Sequence, residues 1–284
     1  VILAAGGSMI FLPRFVPERI SSLLPSATTM MGVPTFYTRL LGSDTFTRDC
    51  TSTIRLFVSG SAPLLPATFA EFEARTGQRI LERYGMTETG MITSNPYVGE
   101  RRAGSVGHPL PGVSVRIADP ETGAVLPQGE TGVIEVSGPN VFAGYWCRPE
   151  LRESEFRTDG YFITGDLGQI DTDGYVFIVG RAKDLIISGG LNVYPKEVET
   201  LIDGMDGVVE SAVFAIAHPD LGEAVVAAVV AAPGATLSAE AIKAALAGKL
   251  AGFKQPKAVF VVEDLPRNTM GKVQKNSLRQ TYKD

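Results

Sequence analysis

The chain has 284 residues, about the length of two typical domains, and 44% of them are apolar while 20% are charged. That composition suits a globular protein with a sizeable core, and the net charge of −5 argues against nucleic acid as a partner, since that partner requires a strongly basic face. The two cysteines are Cys50 and Cys147, and no apolar run reaches the roughly 18 residues of a membrane span. We therefore expect a cytoplasmic protein without a disulfide framework, a zinc site or a membrane partner.

The first part of the chain alternates between strand and helix patterns. Apolar runs predict strands, and amphipathic periodicity predicts helices; the strands are expected at 8–15, 29–34, 54–63 and 79–85 and the helices at 16–26, 35–43 and 66–77. Such alternation is typical of βαβ units with a parallel sheet, whose ligands bind beyond the carboxyl ends of the strands. The sequence starts at Val1 in an apolar run without the basic start of a signal peptide, so we expect a fragment of a longer chain.

The pattern changes at about residue 102. Apolar or alternating runs at 113–119, 132–138 and 175–180 are separated by turn sequences such as PETG, which predicts an antiparallel β subdomain over 102–180. DTDGY, which ends at Tyr175, is interpreted as a hairpin turn because it lacks the ligand spacing of a calcium loop. His108 and His218 each precede a proline and are interpreted as turn residues.

The stretch GRAKDLIISGGLNVYPKEVE (180–199) joins this region to the rest of the chain. Its paired glycines and Pro195 predict a hairpin followed by a helix, on which Glu197 and Glu199 face solvent or cap the helix. Beyond it, the patterns predict a small α+β domain with helices at 193–203 and 238–252 and strands at 208–219 and 223–234. The expected fold class is α/β and α+β, with domains at 1–180 (a βαβ portion at 1–101, then the β subdomain) and 181–284.

Four short motifs can carry chemistry. ERYGMTET (82–89) puts a hydroxyl beside a carboxylate after a strand-end glycine, which suits a nucleotide phosphate and its Mg²⁺. YFITGD (161–166) is interpreted as a loop whose carboxylate can accept two hydrogen bonds from a diol. The small residues of SGSAP (59–63) let the backbone approach a flat base, and PRNTMGKVQK (266–275) holds a lysine on a loop. Taken singly, each motif also fits an ordinary polar loop, a capping Asp, a tight turn or a solvated lysine.

Together these motifs resemble the adenylate-forming acyl-CoA synthetase superfamily over nearly the whole chain. The resemblance implies that Thr87 contacts phosphate, that Glu88 binds Mg²⁺ and that Tyr84 lines the adenine pocket. It implies that Asp166 holds both ribose hydroxyls with help from Arg181. The other residues implied in nucleotide binding are Gly60, Ser61, Ala62, Pro63, Glu82, Gly85 and Met86.

The resemblance also implies a reaction in two steps and a mobile small domain. A carboxylate attacks the α-phosphate of ATP beside Lys272, the adenylation lysine, and the thiol of coenzyme A then displaces AMP. The small domain turns about Lys183 between the steps, and Ser188, Gly189 and Gly190 let the pantetheine arm pass. Because such a lysine is exposed when the domains turn, we expect a lysine acetyltransferase and deacetylase to act on Lys272.

Two arginines bear on the identity of the acid. Arg39 and Arg83 lie in apolar surroundings, where a guanidinium suits a carboxylate that it can bind bidentately. The alternative is an internal ion pair with Glu82 or Asp44. VPTFYTRLL and ERYGMTET are similar to the corresponding segments of malonyl-CoA synthetases, which implies that both arginines hold the second carboxylate of malonate or methylmalonate.

Other interpretations stay open at this point. The superfamily's Ser/Thr/Gly-rich loop followed by Lys, which grips the β and γ phosphates, is missing from these residues, so we expect the chain alone to be inactive. The alternatives are a ligase for acetate, an aryl acid or a medium- or long-chain acid, an adenylation domain of a peptide synthetase, and a noncatalytic nucleotide- or CoA-binding module.

Overall fold

The computed structural model describes residues 2–268 and 272–283. The chain forms two compact units: Val1–Val115, Val136–Phe162 and Ile170–Phe177 make the first, and Arg116–Glu135, Ile163–Gln169 and Ile178–Asp284 make the second. Within the described residues, no helix has both the length and the apolar character needed to cross a membrane. The predicted division into domains at residue 180 stays a prediction.

A five-stranded sheet organises the first unit. Its strands, in spatial order, are β1 (Thr29–Gly32), β2 (Leu56–Ser59), β3 (Leu81–Met86), β4 (Gly90–Ser94) and β5 (His108–Pro109). β1, β2 and β3 are parallel, as the sequence predicts, whereas β4 and β5 add antiparallel pairs. The sheet is therefore mixed, and the predicted turn residue His108 lies in its short last strand.

Three helices of the first unit begin with a proline, whose fixed φ suits the first helical position. They are α1 (Pro17–Leu23), α2 (Pro34–Leu41) and α3 (Pro66–Thr76). The buried rings of Tyr37 and Phe57 meet Phe72 edge to face, with centroids 5.4 and 4.9 Å away. The Tyr37 hydroxyl donates to the carbonyl oxygen of Val58 at 2.6 Å, so α2 is fixed against β2 by both packing and a hydrogen bond.

The predicted strand at 8–15 is wrong. This segment is irregular, and the side chains of Met9, Ile10 and Phe11 are exposed. An apolar run forms a strand only when a neighbouring strand pairs with it, and no described residue pairs with this segment. The run therefore has strand composition without strand structure.

A four-stranded sheet has the order β6 (Ser114–Ala118), β7 (Gly132–Ser137), β8 (Phe162–Ile170) and β9 (Val176–Arg181), and a short helix α4 (Leu151–Glu155) precedes β8 in the chain. The loop predicted at 161–166 is wrong, because this motif opens β8. Thr164 and Asp166 are buried there, so the polar residues that suggested a loop occupy inward positions of a strand. The predicted turn at 171–175 is confirmed, since Asp171 Oδ1 accepts from the N–H of Tyr175 at 2.9 Å.

A second mixed sheet organises the second unit, in the order β11-β10-β13-β12, with β14 parallel to β13. Its elements are β10 (Ile186–Ser188), β11 (Leu191–Val193), α5 (Pro195–Asp203), β12 (Val208–His218), β13 (Gly222–Ala231), α6 (Ala239–Leu246), β14 (Ala258–Val262) and α7 (Lys275–Thr281). The predicted hairpin is confirmed: β10 and β11 join through Gly189 and Gly190 at φ of 59° and 78°, values that a tight two-residue turn requires.

The sequence pattern missed β14 and α7 and extended α6 beyond Leu246, where the helix ends. β13 is almost wholly apolar because both of its faces are covered. Val225, Ala227 and Val229 belong to one buried cluster, and Val226 and Ala228 belong to another. The predicted turn residue His218 is instead the last residue of β12, and its Nδ1 accepts from the N–H of Asp220 and Leu221 at 3.2 Å in the turn that follows.

The prediction that Glu199 faces solvent or caps the helix is wrong. Its side chain is buried and connects neighbouring elements. One carboxylate oxygen accepts from the backbone N–H of Val213 on β12 at 2.9 Å and from Lys275 Nζ at the start of α7 at 2.6 Å. Its neighbour Glu197 does lie nearer solvent, where it pairs with Lys254 at 2.7 Å. A 3.6-residue helical period places the two carboxylates on different faces of α5, which explains why only one is buried.

The Glu199 anchor and the Glu197 pair give a matched comparison on one helix. We expect Glu199→Ala to lower the free energy of unfolding by about 3 kcal/mol, because it leaves a partly buried ammonium and a buried backbone N–H without their acceptor. Glu197→Ala removes a partly exposed pair and is expected to cost less than about 1 kcal/mol. Urea unfolding followed by circular dichroism checks this, and equal losses in the two variants would contradict it.

Candidate functional site

The motif 82–89 forms the end of β3 and the turn to β4. Gly85 pairs with Met91 and Met86 pairs with Gly90, while the N–H of Thr89 donates to the carbonyl oxygen of Met86 at 3.2 Å. A Cβ at Gly85 would lie 2.2 Å from the carbonyl oxygen of Gly90, so only glycine fits there. The hairpin thus presents Thr87, which is exposed, and Glu88, which is half-buried, at its turn.

A second segment of the same unit holds the Glu88 carboxylate. The hydroxyl of Tyr145 donates to Glu88 Oε1 at 2.9 Å, and the backbone N–H of Phe142 donates to the Glu88 carbonyl oxygen at 2.8 Å. Burial, and then the Glu88 hydrogen bond, raise the pKa of Tyr145 to about 12. The motif analysis missed Tyr145; its only signal was the aromatic string VFAGYW (141–146).

The donor set at this turn fits a magnesium ion that arrives with a nucleotide. Mg²⁺ prefers oxygen ligands and is usually held by one or two carboxylates together with substrate phosphates, and Glu88 and Thr87 supply a carboxylate and a hydroxyl. Among the described residues, no group of three or more His, Cys, Asp or Glu side chains can hold a metal ion by itself. The turn therefore suits a cation shared with phosphate better than a metal cage made of protein ligands.

Glu82, near the start of β3, has a buried carboxyl group. It accepts from the backbone N–H of Gly104 at 3.2 Å and from that of Leu64, and burial raises its pKa to about 7 despite those bonds. Leu64 directly follows the predicted adenine-facing segment, whose Ser61, Ala62 and Pro63 are exposed and whose Ser61 has a φ of 70°. Glu82 therefore connects β3 with the end of that loop, and its side chain is turned inward.

The described structure does not support the internal ion pair considered for the two arginines. Neither Glu82 nor Asp44 forms an ion pair with Arg39 or Arg83 in the part of the chain that the structure describes. Arg39 is exposed in the last turn of α2, and Arg83 on β3 is half-buried, with one guanidinium nitrogen against the sulfur of Met91. Both guanidinium groups remain candidates for an anionic ligand.

In the second unit, Arg181 contacts Asp166; the ribose-binding role that the resemblance implies for the two residues stays a prediction. Arg181 Nε lies 2.8 Å from Asp166 Oδ1, with Asp166 buried and Arg181 exposed. Thr164 fixes the local backbone, because its hydroxyl donates to the carbonyl oxygen of Ile134 at 2.7 Å and accepts from the N–H of Asp166 at 3.1 Å. This arrangement holds a carboxylate in one orientation, as recognition of a diol requires.

The remaining predicted residues also lie in the second unit. Lys183 is exposed in a single 3-10 turn (Ala182–Asp184) after β9, and the neighbouring Asp184 pairs with Arg279 at 3.1 Å. Ser188 is buried, whereas Gly189 and Gly190 are exposed at the hairpin turn. Lys272 is exposed, and its backbone N–H donates to Asn268 Oδ1 at 2.9 Å. Residues 269–271 of its motif lie outside the described residues.

Comparison with family models gives two matches. Residues 1–146 match the model described as AMP-binding enzyme, and residues 197–272 match the AMP-binding enzyme C-terminal domain. The fold and these two matches are those of an adenylate-forming protein. The chain belongs to the AMP-binding enzyme family.

Named relatives differ in the acid that they use. A feruloyl-CoA synthase from an Amycolatopsis species is 38% identical to this chain; the match covers 99% of this chain and 57% of the synthase. A malonate–CoA ligase from Arabidopsis thaliana is also 38% identical, over 91% of this chain and 45% of its own length. MatB from Rhodopseudomonas palustris, whose crystal structure was solved with ATP bound, is 62% identical in sequence and superposes with a TM-score of 0.96. The match covers 99% of this chain and 56% of the MatB chain. The chain thus spans about half the length of the relatives it matches.

The pKa of Glu82 predicts a specific pH dependence. Because the folded pKa of about 7 lies above the ordinary 4.5, protonation favours folding; this contribution is present below pH 4.5 and is lost as the pH rises through 7. The loss amounts to at most about 3 kcal/mol. We expect Glu82→Gln, which cannot ionise, to lose less stability than the wild type between pH 4.5 and 8.

Urea unfolding of both chains at the two pH values measures this difference. Glu71→Gln serves as the control, since Glu71 is an exposed carboxylate on α3. Equal pH-dependent losses in wild type and Glu82→Gln would contradict the assignment.

Proposed function

We propose that this chain carries the nucleotide, coenzyme A and acid sites of an ATP-dependent acid–CoA ligase that makes malonyl-CoA or methylmalonyl-CoA. In the first step a carboxylate oxygen bonds to the α-phosphorus of ATP, and the bond to pyrophosphate breaks. In the second step the sulfur of coenzyme A bonds to the acyl carbon, AMP leaves, and the thiol proton passes to solvent.

One observation carries this proposal: the 62% identity to MatB, whose crystal structure binds ATP, together with a TM-score of 0.96. The malonate–CoA ligases among the relatives support the choice of acid. The position of Arg39 and Arg83, without an internal carboxylate partner in the described residues, is consistent with a dicarboxylic acid that needs a second anion-binding group.

The resemblance to the adenylate-forming superfamily implies the roles of the nucleotide-binding residues. Thr87 and Glu88 would meet the phosphates and Mg²⁺, and Mg²⁺ would offset phosphate charge there. Asp166, oriented by Arg181 and Thr164, would accept from the ribose hydroxyls. Tyr84 and the segments Gly60–Pro63 and Glu82–Met86 would line the site of the base. Glu82 would contribute through its backbone, while its buried carboxyl group holds the neighbouring backbone in place.

The second unit would supply the groups that change between the two steps. Lys272 is exposed and would place its ammonium near the attacked α-phosphate. Lys183 would be the hinge, and the exposed turn at Gly189 and Gly190 would pass the pantetheine arm. The proposal includes regulation of Lys272 by acetylation, with a lysine acetyltransferase adding the acetyl group and a deacetylase removing it.

A second candidate is a ligase for another acid. A feruloyl-CoA synthase and long-chain-fatty-acid–CoA ligases match this chain at 38% and 36% identity, as well as the malonate enzymes do. An aryl or long-chain acid would need an apolar pocket where we place Arg39 and Arg83.

Release of AMP tests the proposal and separates these candidates. We would assay this chain and a version extended at its N-terminus to the length of its relatives, with ATP, Mg²⁺, coenzyme A and one acid at a time. Malonate or methylmalonate should support AMP release in the extended chain, while acetate, ferulate and a long-chain acid should support little. Preference for one of the latter acids would overturn the malonate assignment.

The two arginines make the malonate assignment testable by substitution. Since a charge-assisted hydrogen bond contributes about 1.5–3 kcal/mol, we expect Arg39→Ala or Arg83→Ala to raise the KM for malonate at least about tenfold. Residual activity with acetate, which lacks the second carboxylate, should change little. Arg55→Ala is the control, since Arg55 is an exposed arginine that bonds to Tyr97. Unchanged malonate kinetics in both test variants would contradict the assignment.

A further inference from the structure

The segment 138–148 is attached to the β3–β4 turn by several independent hydrogen bonds within the first unit. Asn140 Nδ2 donates to the carbonyl oxygens of Thr89 and Met91 at 2.8 and 3.2 Å. The N–H of Phe142 donates to the carbonyl oxygen of Glu88 at 2.8 Å. These bonds fix the backbone of the turn and bring Tyr145 to the Glu88 side chain.

Aromatic packing holds Tyr145 in place. The Phe142 ring meets the Tyr145 ring edge to face, with centroids 4.9 Å apart, and it also contacts Phe156 and Phe162 at 5.8 and 5.3 Å. Phe162 is fully buried, so this ring cluster is anchored in the interior. The Tyr145 ring is 40% exposed, but its contact with Phe142 ties it to this cluster, which lowers the entropic cost of fixing the hydrogen bond.

The hydrogen bond has a directional consequence for the carboxylate. Tyr145 donates to Glu88 Oε1. A carboxylate has two oxygens with about four lone-pair sites, so a donor fixed on one oxygen restricts rotation and orients the other. Groups that hold metal-binding carboxylates in this way raise metal affinity, typically by about 10–100-fold.

We propose that Tyr145 is a positioning residue whose hydroxyl holds Glu88 so that the second carboxylate oxygen faces the divalent cation bound with the nucleotide phosphates. This inference rests on the proposed function. It adds a specific requirement: the contribution of Tyr145 to nucleotide binding depends on the metal.

Nucleotide binding with and without metal separates this role from a structural one. Calorimetric titration of the extended chain with ATP would be run in Mg²⁺ and again in EDTA, and electron paramagnetic resonance of Mn²⁺ would count the bound metal. We expect Tyr145→Phe to weaken binding of the metal–ATP complex about tenfold while metal-free ATP binding stays within about twofold. Phenylalanine retains the ring packing and removes only the hydroxyl.

Tyr97→Phe is the matched control, because Tyr97 is also an exposed tyrosine whose hydroxyl is hydrogen-bonded, in its case to Arg55 at 3.2 Å. It should leave both affinities unchanged. Equal losses with and without metal in Tyr145→Phe, or no loss at all, would overturn the positioning role while leaving the proposed function intact. A wild-type chain that binds no ATP under either condition would overturn the proposed function and this inference with it.

Discussion

The β3–β4 hairpin depends on the absence of a side chain at Gly85. A Cβ there would lie 2.2 Å from the carbonyl oxygen of Gly90 and 2.6 Å from Met91 Cε, so the two strands can approach only at a glycine. The same constraint recurs at Gly107, where a Cβ would lie 2.0 Å from the carbonyl oxygen of Ser94. This close approach sets the turn that carries Thr87 and Glu88, and it explains why the motif has a glycine before its polar pair.

Buried carboxyl groups act as anchors behind the polar motifs in both units. Glu82 accepts from the backbone of Gly104 and Leu64 in the first unit, and Glu199 joins β12 to the start of α7 in the second. Each contributes by satisfying buried donors that would otherwise be costly. Arg83 follows Glu82 in the chain, and Lys272 lies three residues before Lys275, the partner of Glu199. Ligand contacts are proposed for Arg83 and Lys272, so the residues that hold each segment in place differ from those proposed to meet a ligand.

The sequence predicts most helices and strands that have a clear hydrophobic period or are bounded by proline or glycine. Prolines mark the starts of four helices, Gly77 ends α3, and the Gly189-Gly190 turn defines a hairpin. Predictions failed where packing decides: the apolar run 8–15 lacks a strand partner, and the polar motif at 161–166 enters a buried strand because Thr164 and Asp166 find partners there. The burial of Glu199 and the contact of Tyr145 with Glu88 join segments distant in sequence, so no local pattern could reveal them.

In the proposed function, polar groups of this chain bind ATP, and Asp166 accepts hydrogen bonds from the ribose hydroxyls. The most direct test compares ATP with its 2′,3′-dideoxy analogue in wild type and in Asp166→Asn, measured as calorimetric affinity in the extended chain. If Asp166 accepts from the ribose hydroxyls, removing the hydroxyls should weaken binding to the wild type by about tenfold and weaken binding to the variant much less. Equal losses in the two proteins would show that Asp166 does not contact the ribose and would contradict the account.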